Sequence, residues 1–230
     1  MEELKYHYKY PHPSVTTDCV IFGFDGTKLN VLLVQRGVEP YKGRWAFPGG
    51  FVKMDETTLE GAKRELYEET GLKDAYIRQF HTFSAVDRDP RERVITVAYY
   101  ALVRTSEVKG GDDAAKAQWF SLEQVPSLAF DHDMILRQAL NELRKQIHFE
   151  PIGFELLPEK FTMTQLLHLY EAILGVKFDR RNCYNKMLKL GILTDLEEKL
   201  TLVNKKVAFL YTFNAENYQV MKEKGFRLEF

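Results

Sequence analysis

The 230-residue sequence predicts an α+β protein in two parts, and three observations predict it. Residues 1–150 hold several short runs of β-branched and aromatic residues, separated by turn signals, together with two stretches of helical periodicity. Near residue 150 the character changes, at a segment carrying Pro151 and Pro158. Residues 151–230 then read as two short amphipathic helices, a hairpin and a last helix. The division expected is a strand-rich domain over 1–150, a mixed sheet with helices, and a helix–turn–helix domain with a hairpin over 151–230.

Each element has its own signal. "VTTDCVIFGF" (15–24), the turn "DGTK" (25–28) and "LNVLLVQR" (29–36) form a hairpin. A loop with Gly37, Pro40 and Gly43 follows, then "WAFPGGFV" (45–52), a short strand broken at Pro48-Gly49-Gly50. Residues 57–70 read as a helix ended by Gly71. "AYIRQFHTFS" (75–84), "RVITVAYYALV" (93–103) and "AQWFSL" (117–122) read as strands. Ile135, Ala139, Leu143 and Ile147 mark a long helix over 131–149, with Asp131 as its N-cap. After a linker or crossing segment (150–161), Thr162 and Gln165 form a capping box for a helix that Gly175 ends. Asp179 caps a second short helix, and 199–213 reads as a hairpin turning at Asn204-Lys205.

Composition excludes little. The apolar fraction is 45% and the net charge −1, so nothing global points to nucleic acid or to a membrane. No apolar run approaches the ~20 residues that span a bilayer, and the N-terminus has no apolar core of a signal peptide. Cys19 and Cys183 lie far apart and make no metal spacing; a reducing cytoplasm is the expected setting.

The chemistry concentrates in "GGFVKMDETTLEGAKRELYEETGL" (49–72), with five glutamates. At about 100° per residue, Glu65, Glu68 and Glu69 share one arc of the helix, with Gly61 one turn earlier. Leu59, Ala62 and Leu66 make the adjoining face, expected to pack on the sheet. Like charges at these spacings repel. A Mg²⁺ or Mn²⁺ ion, which takes oxygen ligands, would offset that, and the glycine would leave room for a phosphate. An acidic, solvated helix with local Lys63 and Arg64 pairs explains the helix alone equally well.

The wider spacing decides between them. Gly50, Glu56, Arg64, Glu65, Glu68, Glu69 and Gly71, with apolar Leu66 and Leu72, fit G-x5-E-x7-R-E-U-x-E-E-x-G-U, where U is apolar. Chance agreement at one start position is on the order of one in 10⁹ at average residue usage. This stretch resembles the Nudix hydrolases at every position of their signature. The resemblance implies a mixed sheet sandwiched between helices over roughly 10–150. It implies Glu65, Glu68 and Glu69 as metal ligands, catalysis by Glu68 and Glu69, Arg64 orienting a glutamate, and Glu56 supporting the loop or the metal. The family hydrolyses nucleoside diphosphates linked to another group.

The second half raises a different function. Its 12 Lys and Arg face ten Asp and Glu, and the window 177–206 holds eight against four. Arg180, Arg181, Asn182, Lys186 and Lys189 share one short helix, and Lys205 and Lys206 sit at the hairpin tip. Helix, turn, basic helix and basic-tipped hairpin is the layout of a winged helix-turn-helix. There Arg180, Arg181 and Asn182 would read bases and the wing lysines would touch phosphates. "TMTQLLHLYEAILGVKFDRRNCYNKMLKLGIL" (162–193) resembles the winged helix of Nudix-related transcriptional regulators of the NrtR and AraR type. "AVDRDPRERVITVAYYALV" (85–103) and "LAFDHDMIL" (128–136) resemble that family's pocket segments.

The resemblance implies a DNA-binding regulator, a homodimer on operator DNA, whose front domain binds either ADP-ribose or a related nucleotide, or a sugar such as L-arabinose. Tyr41, Trp45 and Phe47 are candidates to stack on the ligand, with one of Trp45 and Phe47 expected in the core; Asp87, Arg88 and Arg91 are candidates for its polar groups. A sugar is preferred slightly, since no second adenine-binding element is visible. Many such regulators carry a damaged Nudix box, and this one is complete. That keeps open a Mg²⁺-dependent ADP-ribose pyrophosphatase whose second half only dimerises.

Overall fold

The structure, a computed structural model, describes residues 8–72, 75–105, 116–201 and 206–225, and of Glu69 and Thr70 the backbone alone. At the centre of the larger sheet, β1 (Ser14–Phe24) runs parallel to β6 (Val94–Arg104) along its whole length. β5 (Tyr76–Phe83) lies antiparallel to β6, and β2 (Leu29–Gln35) closes the expected hairpin on β1.

β1 and β2 pair only near their turn, through Ile21–Phe24 and Leu29–Leu32. Farther from the turn, β1 pairs instead with β4 (Gly49–Phe51) through Thr16–Asp18, and β2 pairs with β3 (Trp45–Ala46) through Val34 and Gln35. The chain 45–51 is thus inserted where the two long strands part. The break read at Pro48-Gly49-Gly50 is the point where this segment passes from one strand to the other. β7 (Ala117–Ser121) pairs with β2.

Alternation along the strands gives the sheet two apolar faces. Val20, Phe22, Val31, Leu33, Tyr100 and Leu102 pack on one face, and Cys19, Ile21, Leu32, Tyr99, Ala101 and Val103 on the other. α1 (Thr58–Thr70) covers the second face with Ala62 and Leu66. Its capping box joins Thr57 and Glu60, and Gly71 ends it at φ 74°. Leu59 does not pack on the sheet as expected; it is exposed near the start of the helix. α2 (His132–Gln146) covers the first face with Ile135, Ala139 and Leu143, and ends earlier than the expected 149.

The segment read as a linker or crossing segment is part of this core. Ile152, Leu156 and Leu157 are buried, and Arg104 Nε donates to the Leu157 carbonyl at 2.8 Å. The same apolar cluster continues through Phe161, Leu166, Leu169, Tyr170 and Ile173 to Met187 and Tyr211. α3 (Met163–Leu174) has its Thr162–Gln165 capping box and ends at Gly175, φ 71°. α4 (Arg180–Lys189) is capped by the Asp179 side chain. β8 (Phe161–Thr162), β10 (Val207–Phe213) and β9 (Leu193–Thr201) form a three-stranded antiparallel sheet, and α5 (Ala215–Glu223) follows. β9 begins at Leu193, ahead of the expected 199. The hairpin tip, with Lys205, lies outside the described residues. Among those residues no helix is long and apolar enough to cross a membrane.

Trp45 and Trp119 both lie in the first half, so tryptophan fluorescence reports the sheet alone. Because the core is continuous, Leu169→Ala in the second half should shift that fluorescence transition in denaturant. The expected loss is about 2–5 kcal/mol, the usual cost of removing a buried leucine. A far-UV dichroism transition coincident with it would establish one cooperative unit; an unshifted fluorescence transition would show two.

Candidate functional site

The glutamates of α1 are organised by one arginine. Arg64 donates to Glu56 twice, from Nε at 3.0 Å and Nη2 at 2.7 Å. Its Nη1 reaches Glu65 Oε1 at 2.6 Å and Glu68 Oε2 at 3.0 Å. The repulsion between Glu65 and Glu68 is thereby offset within the chain. The Arg64 guanidinium and the Lys53 amide hold the Glu56 carboxyl down at about 2. Gly61 faces the Glu56 carboxylate: a Cβ there would lie 3.0 Å from Oε1, so this glycine makes room for Glu56 and not, as expected, for a phosphate. Gly50 is the glycine that meets the metal-ligand candidates. A side chain there would collide with the Glu65 carboxylate.

Glu65 and Glu68 are carboxylates of the donor type that suits Mg²⁺ or Mn²⁺, and Arg64 bonds one oxygen of each. No cluster of three His, Cys, Asp or Glu shaped for a metal occurs among the described residues. The Glu69 side chain lies outside them.

On the other side of Gly50 is a cleft of about 200 Å³. Its mouth holds Arg36, Phe51, Arg91 and Phe130. The Arg36 guanidinium lies 4.7 Å from the Phe130 ring centre; that of Arg91 lies 5.8 Å from Phe130 and 5.6 Å from Phe51, all within cation–π range. Burial, and then the Arg91 charge, lower the proton affinity of Arg36. Arg36 donates to the carbonyls of Pro40 and Val38 and so gains no counter-charge from them. Arg91 holds Asp89 through two bonds, and that guanidinium lowers the Asp89 carboxyl.

The floor of the cleft is a buried ionic cluster. Arg88 donates to Asp131 from Nε at 3.0 Å and Nη2 at 2.8 Å, and to Asp18 at 3.3 Å. Asp131 therefore stands at the N-cap position of α2 without capping it through its side chain, contrary to expectation. His132 lies beside it, with Nδ1 accepting from the Phe47 amide at 3.0 Å.

The ligand candidates named from the sequence divide. Arg88, Arg91 and Phe47 line the cleft. Tyr41 lies behind its rim, edge-on to Phe130 at 4.8 Å. Trp45 packs edge-on to Phe120 at 4.8 Å in the core, and Asp87 is exposed outside the lining. Phe47 is buried as well, so both aromatics pack and only one of them also faces the cleft. Sequence reasoning passed over Arg36, Phe51, Phe130, Asp18 and His132. Phe51 lay within the signature, and Phe130 and His132 within a segment singled out for its resemblance; Arg36 and Asp18 had no local signal.

In the second half, α4 buries Cys183 and Met187 and exposes Arg180, Arg181, Asn182 and Lys189, with Lys186 half-buried. Lys206, at the base of the hairpin tip, is exposed. The basic side chains thus share the outer face of a helix whose inner face is anchored on α3 and β10.

Residues 12–143 match the Nudix domain and residues 153–213 the NrtR DNA-binding winged helix domain. The chain belongs to the Nudix-related transcriptional regulators of the NrtR type. It is 34% identical over 214 residues to the "ADPR responsive transcriptional repressor NtrR" of Acinetobacter baylyi, covering 91% of this chain and 85% of that one. It superposes on Shewanella oneidensis NrtR bound to a 27mer DNA with a TM-score of 0.78 at 30% identity, over 89% of this chain and 95% of that one. The Nudix domain of the same Shewanella protein, complexed with ADP ribose, gives 0.55 at 34% identity over 60% and 94% of the two chains. The ADP-ribose pyrophosphatase of Methanocaldococcus jannaschii is 42% identical over 136 residues, 59% of this chain and 78% of that one. The mixed sheet between helices and the winged helix are therefore the fold that this NrtR-type sequence was expected to have.

The Arg64–Glu56 pair gives this NrtR-type domain a defined acid response. The carboxyl falls from an ordinary 4.5 to about 2 on folding, so its stabilisation is present above 4.5 and is lost as pH falls toward 2. Glu56→Gln should be less stable than wild type at neutral pH, and the difference should shrink across that window. Chemical denaturation at pH 7, 4 and 3 measures it.

Proposed function

We propose that this chain is an effector-responsive transcriptional regulator of the cytoplasm, a homodimer on operator DNA, with residues 1–150 binding the effector and 151–230 the DNA. The effector proposed is ADP-ribose or a closely related nucleotide. The observation that carries this reading is the arginine–aromatic cleft beside the Nudix glutamates, in a chain whose second half matches the NrtR winged helix. Two arginines crowd one aromatic mouth, and Arg36 bonds only carbonyls there. A diphosphate would supply the missing negative charge, and Phe51 and Phe130 offer faces to a base. A neutral sugar such as L-arabinose would leave Arg36 with carbonyl partners alone, so the nucleotide is preferred to the sugar that the sequence favoured. The relatives named for ADP-ribose support the same choice.

Signal transfer would run along α2. Its N-cap position Asp131 and its first residue His132 belong to the cleft floor, and near its end Arg144 Nε donates to the Ile173 carbonyl of α3 at 2.8 Å. α3 in turn supports α4 through the shared core. A shift of the cleft floor therefore has a rigid path to the DNA-binding helix.

A second reading, hydrolysis of ADP-ribose alongside regulation, is favoured by the assembled Glu56–Arg64–Glu65–Glu68 network and by the similarity to the archaeal pyrophosphatase. Glu65, Glu68 and Glu69 would hold Mg²⁺ or Mn²⁺, which would supply charge stabilisation to a pyrophosphate. Arg64 would keep the carboxylates aligned.

In a gel shift on the protein's own promoter, ADP-ribose should release the operator and leave weak non-specific binding in place. Arg181→Ala should cost about 1–3 kcal/mol and relax sequence preference, as expected for loss of a base contact. Lys206→Ala should weaken all sequences alike and reduce the salt slope by about one. Unchanged operator affinity in both variants would remove this domain as the DNA reader.

For hydrolysis, Mg²⁺-dependent turnover of ADP-ribose by wild type should be lost in Glu68→Gln and Glu69→Gln. Full turnover in both would refute the assignment of these carboxylates, and no turnover in wild type would leave regulation alone.

A further inference from the structure

The chain 45–51 forms one wall of the cleft, and it has no slack. A side chain at Gly49 would collide with the Thr17 carbonyl, and one at Gly50 with the Glu65 carboxylate. Strand pairing holds Gly49 and Gly50 against Asp18 and Thr17, and the Cys19 amide donates to the Pro48 carbonyl at 2.9 Å. Between β3 and β4 the buried Phe47 amide donates to a side chain, His132 Nδ1 at 3.0 Å. A buried amide needs an acceptor, and here an imidazole from an element 85 residues away provides it.

The geometry fixes the state of the ring. Nδ1 accepts a hydrogen bond and so carries no proton; the proton of the neutral ring is on Nε2, which lies 3.5 Å from Asp18 Oδ1. The ring stacks on Phe47 with centres 5.0 Å apart and planes 9° from parallel, and the Phe130 ring is 5.6 Å away. Protonation of Nδ1 would set N–H against N–H. The charged neighbours are Asp18 on β1, Asp131 just before α2, Arg88 on the β5–β6 loop and Arg36 after β2. Asp18 and Asp131 already serve Arg88, so the cluster does not demand a cationic ring.

We propose that His132 is a positioning residue for the effector: as a neutral ring accepting at Nδ1, it fixes the Phe47–Gly50 turn, and with it the cleft wall and the seat of Glu65. It packs against Phe47 and Phe130, which line the cleft with it, and serves as neither acid nor base. The proposal rests on the reading of this cleft as the effector site.

The test separates the two ring nitrogens in the full-length protein. His132→Asn places an amide oxygen near the position of Nδ1, whereas His132→Gln places its amide near that of Nε2. In the effector-free protein the Phe47 amide should be slow to exchange in wild type and in His132→Asn, and fast in His132→Gln. In calorimetry the Asn variant should keep ADP-ribose affinity, and the Gln variant should lose about tenfold, the equivalent of one buried hydrogen bond. Wild type labelled with ¹⁵N gives a third readout that needs no variant to fold. Its ring should show an unprotonated Nδ1 and a protonated Nε2 at neutral pH. The opposite tautomer, an imidazolium, or equal Phe47 exchange in the Asn and Gln variants would overturn the role of His132. Wild type that does not bind ADP-ribose would overturn the effector reading, and the exchange and tautomer measurements would still decide whether His132 holds the turn.

Discussion

A sheet with two apolar faces must be covered on both, and much of this molecule follows from that requirement. The alternation along β1, β2 and β6 sends large side chains to each side. α1 covers one face with little more than Ala62 and Leu66 turned inward, which leaves the rest of its circumference for charge. Glu65 and Glu68 are thus presented from a helix packed on the sheet without taking part in the core. The opposite face is larger than α2 alone can bury, and Ile152, Leu156 and Leu157 complete it. The second half is joined to the first by the hydrophobic effect acting on one surface, with no flexible tether between them.

The split between β1 and β2 has a comparable effect on the site. Where the strands part, the inserted chain 45–51 brings Gly50 between the cleft and Glu65. The cleft and the Glu65 carboxylate then share one wall at Gly50. Charge is partitioned across that wall. Arg64 gathers glutamates on one side, and Arg36, Arg88 and Arg91 gather on the other, two of them already committed to aspartates.

Local signals were read well from the sequence. The capping box at Thr162, the left-handed glycines 71 and 175 and the Asp179 cap are all decided within a few residues. The Nudix spacing was legible for the same reason, since it is one turn and one helix. The cleft was not, because its floor joins Asp18, Arg88 and Asp131, which lie 70 and 43 residues from one another along the chain. No periodicity reports such a meeting. Asp131 shows the consequence: its position before a helix promised a cap, and a distant arginine took the carboxylate. Leu59 and the segment 150–157 err in opposite directions for a related reason. Helical phase placed Leu59 inward, yet it stands exposed near the start of α1, and two prolines suggested a linker or crossing segment where an uncovered apolar face required packing.

The complete Nudix box need not conflict with a regulatory role. A hydrolase and a sensor share the requirement to hold a pyrophosphate beside a cleft that recognises the rest of the nucleotide. They differ in what happens after binding. In a hydrolase, binding energy must be used to stabilise the transition state. In a regulator it must favour one arrangement of the second half over another. In the proposed reading, α2, tied to Arg88 through Asp131 and to α3 through Arg144, would serve the second use, and the carboxylates of α1 the first. The two routes leave the cleft through different helices on opposite faces of the sheet. Loss of turnover through α1 therefore need not impair signalling through α2, and a regulator of this architecture can retain an intact box or lose it without rebuilding its DNA-binding half.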